Sequence, residues 1–175
     1  MDQTNTLLLR SFLTELELRF DVPKAGSNDM PNHVGVTHIS FSDEEPAPWQ
    51  MVVFTHDDTA LARAYAHIYR PKKNDLGALY VLINFVNYQF MLDAMLDFSE
   101  STNTVRVRSN FRGVGRGLPT YEFLDWFQLN LARGDFLRKV FHAVDYSAAD
   151  LQAEYHRAVE KVRIDMGINF TPVLS

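Results

Sequence analysis

A chain of 175 residues, 46% hydrophobic and 22% charged, falls in the size range of one globular domain and is neither disordered nor fibrous in composition. Its net charge of −5 argues against a general nucleic-acid or anionic-membrane binder, because phosphate contacts need clustered Lys and Arg. Cysteine is absent, which excludes disulfides, thiolate nucleophiles and Cys-ligated zinc or iron–sulfur sites, and which fits a cytoplasmic protein.

The first six residues lack the basic n-region of a signal peptide, and Arg10 and Glu15 interrupt the Leu7-Leu8-Leu9 run. Thr4 or Asn5 is placed to cap a first helix reaching about Phe20, with Leu8, Leu9, Phe12, Leu13, Leu16 and Phe20 as its apolar stripe. A breaker-rich loop follows over residues 22–29. Strands are predicted over residues 35–41 and 49–55, joined by a turn whose Pro46 and Pro48 lie outside any regular ladder. Residues 60–70 read two ways. A helix would gather Leu61, Tyr65 and Ile68. A strand would alternate Leu61, Arg63, Tyr65, His67 and Tyr69 against a face of alanines. The strand is the preferred reading, and its alanine face would let the helix beginning at Leu76 approach the sheet closely.

That helix, residues 76–90, is apolar almost all round and expects cover on more than one side. Its longest apolar run is too short to span a bilayer and contains Asn84 and Asn87, which lie on neighbouring turns of one face. From residue 91 the period changes to two, putting Leu92, Ala94, Leu96 and Phe98 on one face and Asp93 and Asp97 on the other. A hairpin turn is expected at residues 99–103. Val105 and Val107 then continue the inner face, and Arg106 and Arg108 point outward, across from Asp93 or Asp97. After a loop at residues 112–119, a long helix starts near Thr120 or Tyr121, apolar through Phe123, Phe127, Leu137 and Phe141, with a break expected at Gly134. Ser147-Ala-Ala-Asp150 has the form of a capping box opening a final helix towards Val162. The tail from Gly167 carries Ile168, Phe170 and Val173 and is expected to dock on the body.

The order helix, strands, helix, hairpin, helix, with the Asn84-Phe-Val-Asn87 pair before a strand and an Arg-rich strand leading into a helix, resembles the YbjN-like proteins, which share the fold of the type III secretion chaperones. The resemblance is best over residues 76–145 and looser over 4–70. It implies a single α+β domain over residues 1–175, one antiparallel sheet backed by helices on one face, often dimeric and acting by binding another protein. The Gly-rich loop at 113–117 and the helix at about 147–163 are additions to that pattern.

Candidate sites are few. Gly113, Gly115 and Gly117, flanked by Arg112 and Arg116, lie between a strand and a helix, where backbone N–H groups cradle phosphate. The spacing is not GxGxxG and no Lys-Ser/Thr follows, so a turn is the favoured reading. His56-Asp57-Asp58 offers the start of a metal site. The remaining histidines lack ligand spacing, and a turn capped by Asp is preferred. Asn84 and Asn87 are read as structural amides, because an unpaired buried amide costs about 1 to 3 kcal/mol. Arg63, His67, Arg106 and Arg108 with Tyr65 and Tyr69 form a strip of the kind that stacks RNA bases, against which the acidic balance argues. No nucleophile elbow or paired carboxylates stand out. The expected function is therefore non-enzymatic protein binding of a chaperone-like kind through apolar helix and sheet surfaces, with a possible homodimer and with no cofactor, metal, nucleic acid or membrane. The alternative is a nucleotide- or small-molecule-binding regulator using the 113–117 loop. Thirteen Phe, seven Tyr and two Trp supply the excess apolar surface behind the first reading.

Overall fold

The computed structural model describes residues 4–22, 34–42, 44–91, 93–114 and 118–168. The fold is α+β. Helix α1 (Asn5–Glu15) precedes strands β1 (Phe20–Asp21), β2 (Val34–Phe41), β3 (Trp49–His56) and β4 (Leu61–Tyr69). A short 3-10 turn (Lys73–Asp75) leads into α2 (Leu76–Gln89), and β5 (Ala94–Ser99), β6 (Thr104–Arg112), α3 (Thr120–Ala143) and α4 (Leu151–Asp165) follow. The six strands form one antiparallel sheet in the order β1-β2-β3-β4-β6-β5. Alternation sorts its side chains cleanly. Ile39, Met51, Val53, Ala62, Ala64, Ala66, Val105 and Val107 are buried on the face that α1 and α3 cover, packed with Leu9, Leu13, Phe127 and Phe141. Among the described residues no helix is long and apolar enough to cross a membrane.

Residues 61–69 form the predicted strand, and the alanines do admit a helix, but it is α3 and not α2. A Cβ at Gly134 would lie 2.8 Å from Cζ3 of Trp49 and 3.1 Å from Cβ of Ala66. The glycine is thus where α3 touches the sheet, and the helix runs through it for 24 residues without the expected break. Helix α2 instead sits beyond the sheet edge against β5 and α4. It buries Leu79, Leu82, Ile83 and Val86 but leaves Tyr80, Val81 and Tyr88 at 46%, 54% and 86% exposure, so its cover by the described residues is incomplete.

Two helix ends differ from expectation. The first helix stops at Glu15 because Glu17 turns left-handed (φ 55°), with Leu18 N–H donating to the Leu13 carbonyl and Glu17 N–H to that of Thr14. This is a Schellman closure with Glu in the position glycine usually takes. Phe20 is thereby released to pair with Ile39 in β1. The capping box at Ser147 does not form. Asp150 caps α4 by accepting from Gln152 and Ala153 N–H, while the Ser147 hydroxyl donates to Asp145 at 2.6 Å. The loop at 23–29, Leu92 and the apolar tail beyond Ile168 lie outside the described residues.

Candidate functional site

The sheet face away from α1 and α3 carries three cross-strand rows, set by the register. One runs Asp21, His38, Val52, Tyr65, Arg108, Met95; the next Ser40, Gln50, His67, Arg106, Asp97; the third Val36, Phe54, Arg63, Asn110. Phe54 meets Tyr65 edge to face at 5.8 Å, and the Arg106 guanidinium lies 5.0 Å over the Tyr65 ring. Arg106 also grips Asp97 with two hydrogen bonds of 2.7 and 3.0 Å. Arg63 donates to Asn110 at 2.8 Å and Arg108 to the Met95 sulfur at 3.3 Å. Strands β3 to β6 contain a single carboxylate, Asp97, so the centre of this face is aromatic and cationic within an acidic protein. Asp93 does not share it. It lies just before β5 and pairs with Arg133 of α3 at 2.7 Å.

At one end of the sheet this face runs into a cavity of about 520 Å³. Its walls come from the end of β2 (Ser40, Phe41), the start of β3 (Trp49, Gln50), the end of β4 (His67, Ile68, Tyr69), Thr104 and His142. A bulge makes this shape. His67 pairs with Arg106 and Tyr69 with Val105, so Ile68 is the extra residue, and the strand bends where it occurs. Phe41 and Trp49 stack at 4.2 Å, and Tyr69 stacks on Tyr146 at 5.4 Å. Burial first, then the Arg106 guanidinium, depress the His67 imidazole to about 4, although Asp97 acts in the opposite direction. His67 is therefore neutral at physiological pH, with Nδ1 3.0 Å from the Thr104 hydroxyl. Burial and then Arg138 likewise hold His142 below the ordinary imidazole range.

Behind Trp49 lies Arg138, a fully buried cation for which sequence periodicity offered no signal. Its guanidinium donates to the Ala47 carbonyl at 2.6 Å, the Glu45 carbonyl at 2.5 Å and Asp135 at 2.7 Å, and sits 5.9 Å from the Trp49 ring. Burial raises the Asp135 carboxyl, but hydrogen bonds from Arg138 and Lys139 outweigh it and leave the group below the usual range. Arg138 thus fastens the turn between β2 and β3, one wall of the cavity, to α3.

The other sequence candidates fall elsewhere. In the Gly-rich loop, Arg112 ends β6 and the Gly113 N–H donates to the Ala60 carbonyl at 2.8 Å, which removes it from any anion cradle. Gly113 is small for a packing reason, since a Cβ would lie 2.9 Å from Pro119 Cδ. Gly115, Arg116 and Gly117 lie outside the described residues. In the His56-Asp57-Asp58 turn, Asp57 accepts from the Thr6 N–H at 2.9 Å and the Thr6 hydroxyl at 2.8 Å, an anion at the first turn of α1. Asn5 locks the same corner by donating to the His56 and Thr59 carbonyls and accepting from Leu118 N–H. Among the described residues no group of three or more His, Asp or Glu gathers to hold a metal. Asn84 is exposed. Asn87 donates to the Leu96 carbonyl at 2.8 Å and accepts from the Leu96 N–H at 2.7 Å. No protein-family model matches the chain, and no curated protein matches it.

Proposed function

We propose that this protein is a non-enzymatic, chaperone-like binding module that docks another protein on the uncovered face of its sheet. The observation that carries the reading is that face itself. Among the described residues, four helices leave one side of a six-stranded sheet open, and on it Phe54, Tyr65 and three arginines share the face with one carboxylate. Aromatic residues and Arg are the types that dominate protein interfaces, and such a face suits a partner surface that is apolar with an acidic rim. The element order that carried the resemblance to the YbjN-like proteins supports it, as does the lack of cysteine for a cytoplasmic location. The stripe of Tyr80, Val81 and Tyr88 on α2 supplies a separate surface for a second copy of the chain.

The test is capture of partners from an extract of the source organism by the full chain, beside two variants. Phe54→Ala/Tyr65→Ala alters the sheet face and Val81→Glu alters α2. The same partner should come down with wild type and Val81→Glu, and be lost with the sheet-face variant. Equal recovery by all three would refute the docking face.

A further inference from the structure

We propose that the cavity at the end of β2, β3, β4 and β6 is a binding site for a small monocarboxylate with an apolar, ring-sized body. This does not rest on the docking of a protein partner, since the cavity's walls reach past the open face to the helix side of the sheet. Its volume of about 520 Å³ lies within the range that buries small organic ligands. The walls divide into an apolar part, the stacked Phe41 and Trp49 with Pro48 and Ile68, and a polar part of hydroxyl, amide and imidazole groups with Arg70.

Charge selects the ligand. Among the described residues that line the cavity none is a carboxylate, and Arg70 repels a bound amine and attracts a bound anion. Both lining imidazoles are kept neutral, by burial before all else, which leaves Arg70 as the one cation among the described lining residues. Hydrogen bonding points the same way. Trp49 is among the lining residues, and its indole N–H is a buried donor without a partner. Buried donors are ordinarily satisfied. A ligand that brings acceptor oxygens and one negative charge complements the site, with the carboxylate towards Arg70 and the body over Phe41 and Pro48.

Two tryptophans give two indole N–H cross-peaks in a proton–nitrogen correlation spectrum. That of Trp126 is already bonded to Ser109 at 2.8 Å and serves as the internal control. The ¹⁵N-labelled full chain is titrated with naphthylacetate, and with naphthylacetamide and naphthylethylamine as neutral and cationic counterparts. The Trp49 cross-peak should move saturably with naphthylacetate while that of Trp126 stays. Arg70→Gln, a change at an exposed position, should weaken binding about tenfold, as loss of a charge-assisted hydrogen bond does, and Ser42→Trp should abolish it by filling the space. Spectra unchanged elsewhere establish that both variants are folded. No movement at millimolar naphthylacetate, equal affinity for the three probes, or undiminished binding by Arg70→Gln would each overturn the assignment.

Discussion

Asn87 shows how one side chain manages the exposed edge of a sheet. Strand β5 is the last in the sheet, and an edge strand offers unpaired backbone groups to any passing chain. The Asn87 amide bonds both the N–H and the carbonyl of Leu96, so it stands in for one residue of a missing neighbouring strand. Removing it leaves both groups unmade beneath α2. Asn87→Ala is expected to cost about 1 to 3 kcal/mol, read as a lower urea midpoint with unchanged slope, and Asn87→Asp, which sets a carboxylate oxygen against the Leu96 carbonyl oxygen, should cost at least as much at neutral pH. His67 makes a second residue-scale prediction. Arg106, His38 and Arg70 all oppose its charge and Asp97 favours it, with burial the largest influence, so its folded value is about 4 against 6.5 when free. As pH falls from 6.5 towards 4, the unfolded chain takes up this proton and the folded chain does not, so stability present above 6.5 is progressively lost. His67→Gln, whose amide can still reach Thr104, should show a shallower fall in urea midpoint between pH 7 and pH 5 than wild type. Parallel curves would count against this role for His67.

At the scale of elements, alternation and helical spacing located the strands and helices because those patterns are local. Residues 60–70 read as helix or strand, and the alternation of Leu61, Arg63, Tyr65 and His67 against alanines is the pattern that the strand follows. Which helix occupies the alanine face is a long-range fact, decided by the fit of Gly134 against Trp49 and Ala66, and periodicity has no access to it. Gly134 reads as a helix breaker by propensity and acts as a contact point by packing. Gly134→Ala tests the two against each other. The helix gains about 1 kcal/mol in propensity, whereas overpacking against a buried indole costs about 1 to 3 kcal/mol. Net destabilisation is expected in thermal or urea unfolding. It should be relieved in the Trp49→Phe background, where the ring edge that the new methyl meets is gone, and additivity in that cycle would show that the two residues do not clash. The cavity was illegible for the same reason: its walls are drawn from residues 40 to 142, and its backing cation, Arg138, lies on a helix whose sequence marks it only as charged. In the Gly-rich loop the commitment of the Gly113 N–H to the Ala60 carbonyl is another long-range fact that the spacing of the glycines does not carry.

On the scale of the whole molecule, the unresolved balance is between the apolar residues the chain carries and the surface one subunit can cover. Helix α2 lies at the sheet edge against β5 and α4, and among the described residues Val81 and Tyr88, seven apart, lie exposed on its outer side, with the half-exposed Tyr80 beside them at Phe98 of β5. Gly77 lies a turn before Tyr80, and a Cβ there would meet nothing within 4 Å, so another backbone has room to approach that end. A stripe running along one helix is self-complementary under a two-fold axis, which is the simplest closed symmetry for a pair of identical chains. Light scattering at micromolar concentration is expected to give a mass near twice the 20.1 kDa of the chain. Val81→Glu, placing a charge at the centre of the stripe opposite its own copy, should return the mass to that of one chain without lowering the unfolding midpoint of the subunit. Wild type that runs as a monomer at those concentrations would dispose of the dimer and leave the open sheet face as the sole proposed protein-docking surface.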